Sequence, residues 1–322
     1  MPYLVTGAAG FIGSHVVEAL LRRGQEVIGL DNFNSYYSPS RKRSNLKEAL
    51  HDAGLPGKLT LVEGDIRDQD LLRRLFADHE IQIIVHLAAM AGVRVSIDDP
   101  HLYFDVNLTG TLNLLDLACR HKVGNFVLGS TSSVYGDTET MPFVETDPCA
   151  RPLAPYAASK RAAEMLGFTF HHLHRLNFTA LRFFTVYGPR GRPDMMAYKV
   201  ADNISFGKEV PIYNNGQMRR DWTFVDDIVE GVLAAAERPL GYAIINLGRG
   251  QPVLLADFVQ MIERLAGRKA RLIPAPMPET DVPSTHADIS KAVRLLGYQP
   301  RTSIESGITA FWRWYEKTVL LG

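Results

Sequence analysis

Apolar positions along the chain keep two rhythms. Short, largely apolar runs at residues 3–6, 26–30, 59–62, 81–87, 125–130 and 180–184 have the length of buried strands. Between them apolar residues recur at helical spacing: Val16, Val17, Leu20 and Leu21, then Leu71, Leu72, Leu75 and Phe76. A long helix is predicted over 101–121 from Leu102, Val106, Leu108, Leu112, Leu115 and Leu117, and another from Tyr156 to about residue 173. Strand and helix alternating in this way predict an α/β fold, a doubly wound parallel sheet covered on both faces. The polar segment 32–56, with Tyr36, Tyr37, Arg41, Lys42 and Arg43, reads as a loop and a short surface helix with solvated charges. After Tyr187 the alternation breaks down, and Gly191, Pro193, Gly207, Pro211, Gly216, Pro274, Pro276, Pro278 and Pro283 punctuate short elements. The expected division is a main domain over 1–187, with 224–250 folding back on it, and a smaller irregular α/β lobe over 188–322.

The first strand runs into Gly7-Ala8-Ala9-Gly10-Phe11-Ile12-Gly13 and then a helix. Glycines there permit a tight turn, close approach of a pyrophosphate and close packing of helix on strand, while the helix N-terminus offers unpaired N–H groups to phosphate. That is the Rossmann-type arrangement; a plain Gly-rich turn is the bland alternative. Asp31 ends the second strand eighteen residues beyond Gly13. It is placed to accept hydrogen bonds from the adenosine ribose and to repel a 2′-phosphate, which favours NAD over NADP. Ligands of such sheets bind at the C-terminal strand ends, so Gly10, Asp31, Asp65, Ala88 and Thr131 should meet in one crevice. His86, flanked by apolar residues, reads as a satisfied core histidine.

Bulk properties narrow the partners. Thirty-five basic and thirty-five acidic residues cancel, so no overall field draws the chain to nucleic acid or an anionic membrane. An anionic ligand must therefore be met by local groups. No apolar run approaches the roughly 20 residues of a membrane span, and the chain opens directly on a strand, so a cytoplasmic protein is expected. Cys119 and Cys149 have no metal or redox spacing and read as structural; no metal site is expected.

Tyr156 and Lys160 stand four residues apart at the start of a predicted helix, on one face. A free tyrosine has a pKa of about 10, and a fixed cation nearby lowers it, making the phenol a proton shuttle. An ordinary amphipathic surface helix is the alternative. The glycine loop, Asp31, Gly64-Asp65-Ile66, the run Ser130-Thr131-Ser132-Ser133-Val134-Tyr135-Gly136 and Tyr156-x-x-x-Lys160 together resemble the extended short-chain dehydrogenase/reductase family of nucleotide-sugar-modifying enzymes. The stretches Leu181-Arg182-Phe183-Phe184-Thr185-Val186-Tyr187-Gly188-Pro189-Arg190-Gly191-Arg192-Pro193-Asp194-Met195 and Met218-Arg219-Arg220-Asp221 are similar to those of UDP-glucuronate 4-epimerases.

That resemblance implies an isomerase using NAD, held by Gly7, Gly10, Phe11, Ile12 and Gly13, by Asp31 and Asn32, by Asp65 and Ile66, by Leu87, Ala88 and Ala89, and by Tyr156 and Lys160. Tyr156 takes the sugar's 4-hydroxyl proton, Lys160 binds the nicotinamide ribose and holds Tyr156 ionised, and Thr131 donates to the same sugar oxygen. Relatives that dehydrate or decarboxylate their sugars carry acids just after Thr131, where this chain has Ser132 and Ser133; no second acid is expected in the site. Ser132, Ser133 and Thr185 are expected on the uronate carboxylate, with Arg192 as counter-charge. Arg220 is expected at the pyrophosphate of a UDP-sugar and Asp281 at its uridine ribose, although Glu279-Thr280 replaces the Pro-Gly that precedes this acid in many relatives. Arg94 and Arg219 can serve phosphate or carboxylate, or be surface ion pairs. A UDP-galactose or UDP-N-acetylhexosamine 4-epimerase, a 4,6-dehydratase and a non-catalytic NAD-binding regulator are the alternatives. The resemblance also implies a homodimer through a four-helix bundle built from 101–121 and the Tyr156 helix.

Overall fold

The computed structural model describes residues 1–51 and 54–321. It opens with β1 (Pro2–Thr6), α1 (Phe11–Arg22), β2 (Glu26–Asp31), α2 (Pro39–Ala49), β3 (Lys58–Glu63), α3 (Gln69–Asp78) and β4 (Ile83–His86). Then come α4 (Pro100–Phe104) and α5 (Gly110–Arg120), joined by a π-helical turn, and β5 (Asn125–Thr131), α6 (Pro155–His174), β6 (Phe178–Phe183) and β7 (Thr185–Tyr187). The remainder is α7 (Met196–Ser205), β8 (Glu209–Tyr213), β9 (Arg219–Arg220), β10 (Trp222–Phe224), α8 (Val225–Ala236), β11 (Tyr242–Leu247), β12 (Val253–Leu254), α9 (Leu255–Ala266), β13 (Arg271–Ala275), α10 (Ser290–Leu296) and α11 (Ile304–Tyr315).

Seven parallel strands form one sheet in the order β11-β6-β5-β4-β1-β2-β3. Every residue of β4 and β5 is buried, which is why these strands read as unbroken apolar runs rather than alternating ones: helices cover both faces. The edge strand β3 keeps only intermediate and exposed positions. Chain order reverses about β1, where β2 lies on one side and β4 on the other, so the strand ends there open a crevice. On the far side β11 pairs with β6 from Tyr242↔Phe178 to Leu247↔Phe183, returning the chain to the main sheet after its excursion.

Local chemistry sets the helix positions. Asp68 caps α3 by accepting from Asp70 N and Leu71 N, and Asp99 caps α4 ahead of Pro100. The π-helical turn at Asp105–Thr109 directs Asn107 inward. Its side chain accepts from Met90 N (2.8 Å) and donates to Met90 O (3.0 Å) and Ser159 Oγ (3.0 Å). One amide thus ties the loop after β4 to α6.

The polar 32–56 segment departs from its sequence reading. It contains α2 as expected, but that helix packs on the C-terminal α11, with Arg41 4.8 Å above the Trp314 ring and Glu48 accepting from Trp314 Nε1 (2.8 Å). Lys42 is buried at 5% exposure, so its charge is not solvated. Of the same segment, Asp52 and Ala53 lie outside the described residues.

Around β7 and β10, which pair in parallel, the buried Asp221 joins remote strands. Its carboxylate accepts from Arg249 N (2.7 Å), Gly250 N (2.9 Å) and Ala287 N (3.0 Å). Three backbone donors from two distant loops converge on one acid, which fixes the neighbouring Arg220.

Candidate active site

The loop from β1 to α1 forms the floor. Gly7 has φ +70°, and a Cβ on Gly13 would sit 1.9 Å from Gly7 O, so both positions exclude side chains. α1 begins without a side-chain cap, and the first residues of its N-terminus, Phe11, Ile12 and Gly13, line the cavity with their backbone donors unclaimed by a cap. Asp31, 7% exposed, accepts from Ala9 N (3.0 Å) and Phe33 N (2.8 Å), which aims the carboxylate while leaving lone pairs free. Asp65 accepts from Asn32 Nδ2 (2.9 Å) and from the Arg67 fork (3.0 and 2.9 Å). Burial would raise its carboxyl, but these bonds outweigh that and hold it at about 2.

These residues, with Ile66, Leu87, Ala88, Ala89 and Thr131, enclose a cavity of about 420 Å³ that ends on Tyr156 and Lys160. The expected convergence of Gly10, Asp31, Asp65, Ala88 and Thr131 is therefore observed. The empty volume over the glycines, the open helix N-terminus and the aimed Asp31 fit a dinucleotide.

Tyr156 is the second residue of α6, behind Pro155, and Lys160 one turn later is 2% exposed. Ser159 Oγ donates to Tyr156 O (2.8 Å), and the Tyr103 ring stands edge-on at 6.2 Å. The electrostatics differ from the sequence expectation that Lys160 lowers the phenol's pKa. Burial dominates and raises Tyr156; what opposes it is the Arg192 charge and a hydrogen bond from Thr131. Lys160 is itself pushed down to about 8 by burial, against the pull of Glu164. Glu164 is committed elsewhere, accepting from Ser130 Oγ (2.6 Å) and the Arg182 fork (3.0 and 2.8 Å).

Thr131 ends β5. Its Oγ1 accepts from Ser133 N (3.1 Å) and lies 3.1 Å from Ser133 Oγ, so its single proton serves either Ser133 or the Tyr156 oxygen. Ser132, Ser133 and Thr185 form the wall between the main cavity and a second depression of about 190 Å³. Arg220 and Asp281 line that second depression. Arg94 Nη2 meets the same Asp281 carboxylate at 2.9 Å and Arg220 Nη2 at 3.4 Å, so two cations share one acid at the rim of the depression. Arg94 also donates to Tyr213 OH (2.8 Å). Arg219, beside it in β9, is exposed and contributes its backbone to the pairing with β12.

Arg192 reaches the main cavity, but its fork is already engaged: Nε lies 2.9 Å and Nη2 2.7 Å from the two oxygens of Asp194. Asp194 also accepts from Tyr36 OH (3.2 Å). No second acid is expected at the sugar; Asp194 is an acid held behind Arg192, next to the cavity lining rather than part of it. Burial would raise its carboxyl, yet the Arg192 fork and the Tyr36 hydroxyl hold it below the usual range, ionised and with both oxygens occupied. Lys42 and Tyr36, which line the cavity, and Asp194 behind Arg192 are residues that sequence reading missed; only the Tyr36–Asp194 contact joins distant segments, and no spacing marks the others. His86 is in the core, between Thr6 Oγ1 (2.7 Å) and Thr111 Oγ1 (2.9 Å), and burial pushes it down to about 3. Among the described residues no group of three or more His, Cys, Asp or Glu is placed to hold a metal ion.

Residues 3–248 match the model of the NAD dependent epimerase/dehydratase family. The chain is 42% identical over 320 residues to the UDP-glucuronate 4-epimerase of Thermodesulfobacterium geofontis (strain OPF15), covering 99% of this chain and 97% of that one. It is 45% identical over 331 aligned positions to UDP-glucuronate 4-epimerase 4 of Arabidopsis thaliana, covering 97% of this chain and 74% of the relative. The crystal structure of UDP-glucuronic acid 4-epimerase from Bacillus cereus in complex with UDP-glucuronic acid and NAD superposes with a TM-score of 0.90 at 34% identity, covering 98% and 99% of the two chains.

Proposed function

The chain belongs to the NAD dependent epimerase/dehydratase family, and from that premise we propose how its residues carry out the interconversion of UDP-glucuronate and UDP-galacturonate. It is an NAD-dependent UDP-glucuronate 4-epimerase. The observation that carries the reading of the site is the meeting of Tyr156 and Thr131 with the hydroxyl wall of Ser132, Ser133 and Thr185, where the dinucleotide cavity opens into the arginine-lined depression.

Bound NAD supplies a hydride acceptor that later returns the hydride. Tyr156 takes the proton of the 4-hydroxyl and returns it to the new alcohol, while Thr131 donates to the same oxygen. Lys160 holds the cofactor's ribose and keeps positive charge behind the phenol below its own pKa of about 8. Arg220, Arg94 and Asp281 hold the nucleotide end, so the sugar can turn about its phosphate linkage while UDP stays in place. The 4-keto uronate is a β-keto acid; loss of carbon dioxide would leave an enolate, which completes the reaction by taking a proton at the carbon that carried the carboxylate. Ser132, Ser133 and Thr185 hydrogen-bond that carboxylate without an acidic proton to give. Asp194 cannot give one either while Arg192 keeps it ionised.

Residues 1–187, with 224–250, form the cofactor part in this reading and 188–322 the substrate lobe. Exposed apolar side chains on α4, α5 and α6, among them Phe104, Leu112, Met165, Phe168 and Leu173, support a homodimer through a four-helix bundle. No helix among the described residues is long and apolar enough to cross a membrane, and a cytoplasmic setting belongs to the same proposal.

Purified protein incubated with UDP-glucuronate, followed by NMR of the anomeric signals, should approach a gluco/galacto mixture. Unchanged signals refute the substrate. Tyr156→Phe should lower turnover by about 10²- to 10⁴-fold with NAD retained; undiminished turnover removes Tyr156 from its role.

A further inference from the structure

Among the described charged side chains of the polar 32–56 segment, Lys42 alone is buried. Its ammonium donates to Asn34 O (2.9 Å) and Asn34 Oδ1 (2.7 Å) and sits 5.0 Å from the Tyr37 ring, all neutral partners. Among the described residues no carboxylate lies within 4.0 Å of it. A buried ammonium lacking an anionic partner is costly, and burial accordingly pushes its pKa down. One of its three N–H groups remains for another acceptor.

Lys42 lines the same cavity as Gly10, Phe11 and Asp31. A dinucleotide pyrophosphate brings two negative charges to this cavity, yet no basic side chain occurs between Gly7 and Ser14, where its phosphates would rest. Asp31 marks the adenosine ribose end, and Arg192 lies toward Tyr156 at the other. Lys42 lines the cavity together with both. An uncompensated cation and an uncompensated anion site therefore face one another.

We propose that the Lys42 ammonium pairs with the pyrophosphate of the bound dinucleotide, supplying the counter-charge that the glycine loop lacks, with Asn34 holding it in position. This rests on the NAD reading of the cavity but not on the identity of the sugar. Enzyme stripped of cofactor is titrated with NAD, ADP and adenosine by calorimetry, for wild type, Lys42→Gln, Lys42→Met and Lys42→Arg. The neutral variants should lose about tenfold to hundredfold in affinity for NAD and ADP, the range of one charge-assisted hydrogen bond, with adenosine unaffected. Lys42→Arg should recover most of the loss.

Lys42→Gln keeps a polar group against Asn34 and guards against a misfolded Lys42→Met. A folded Lys42→Gln binding ADP within twofold of wild type overturns the proposal, as does an equal loss for adenosine and ADP. In the wild type itself, ADP must raise the melting temperature well beyond adenosine; equal shifts overturn the proposal without any variant. Failure of the wild type to bind NAD at all would sink the cofactor reading instead, and normal NAD retention with failed sugar turnover would sink only the substrate.

Discussion

Replacing Arg192 by Met removes the fork that holds Asp194 and makes the site's missing acid appear. Asp194 then keeps the Tyr36 hydroxyl at 3.2 Å and its own backbone N–H, and burial acts on it without the opposition of the fork, so its proton affinity rises. Breaking a fully buried pair by removing one partner costs about 3–5 kcal/mol. The Asp194 side chain is 32% exposed, so screening reduces this to roughly 1–3 kcal/mol. At about 2.1 cal/mol/K per residue, a chain of 322 residues should lose about 1.5–4 °C in melting temperature. The functional effect is larger than the structural one. Arg192 is the cation that lowers Tyr156, so its loss raises the phenol and slows epimerisation at neutral pH about tenfold or more. A protonated Asp194 beside the 4-keto sugar would supply the proton taken up by the enolate that carbon dioxide loss leaves. With UDP-[6-¹³C]glucuronate, Arg192→Met should release ¹³CO₂, leave a UDP-4-keto pentose and accumulate reduced cofactor absorbing at 340 nm, whereas wild type should release almost none. The double variant Arg192→Met/Asp194→Asn carries neither the stranded carboxylate nor the acid, so it should be more stable than the single one and leak less. Equal leakage from single and double variants, or none from either, refutes the role given to Asp194.

The cofactor end and the core yield further expectations. Asp31→Asn removes the charge that repels a 2′-phosphate, so NAD affinity should fall about tenfold and the preference over NADP should narrow; an unchanged NAD to NADP ratio in binding titrations contradicts the placement of Asp31. His86, with an ordinary pKa of 6.5 pushed down to about 3, is neutral in the fold and takes a proton on unfolding. Its contribution is intact above pH 6.5 and lost as pH falls toward 3, approaching about 5 kcal/mol of lost stability at full protonation. Urea unfolding of His86→Gln should therefore show a flatter decline below pH 6.5 than wild type, and parallel curves would show that His86 is not the titrating group.

Much of this architecture is legible in the chain because parallel strands covered on both faces must be apolar throughout, and the glycine loop follows from what a pyrophosphate and a tight turn require. Asp31, Asp65, Thr131 and Tyr156 then fall at strand and helix ends by sequence position alone. Lys42 and Asp194 could not be found that way. Lys42 lies in a polar segment whose helix is docked through Arg41 and Glu48 on Trp314, far along the chain, and its own ammonium turns inward onto Asn34 and Tyr37. Asp194 meets Tyr36 across 158 positions, and its pairing with Arg192 is local but indistinguishable in sequence from a solvated pair. Spacing likewise shows that a lysine is near Tyr156, while burial, which lowers the lysine and raises the phenol together, is a property of the whole core.

The paired state of Arg192 resolves a conflict in what the reaction demands. An epimerase must let the 4-keto sugar present both faces to one hydride donor, so whatever holds the carboxylate must release it and take it up again. A free arginine fork would grip a uronate through two parallel charge-assisted bonds, each worth about 1.5–3 kcal/mol, and such a grip would favour one orientation of the ring. Asp194 occupies the Nε–Nη2 edge of the fork, which leaves only the Nη1 end of the guanidinium to attract the carboxylate. Neutral hydroxyls on Ser132, Ser133 and Thr185, at about 1 kcal/mol each, can be exchanged during rotation at little cost. In the proposed mechanism Arg192 keeps Asp194 ionised, so restraint toward carbon dioxide loss rests on that ion pair and freedom to rotate on the exchangeable hydroxyls.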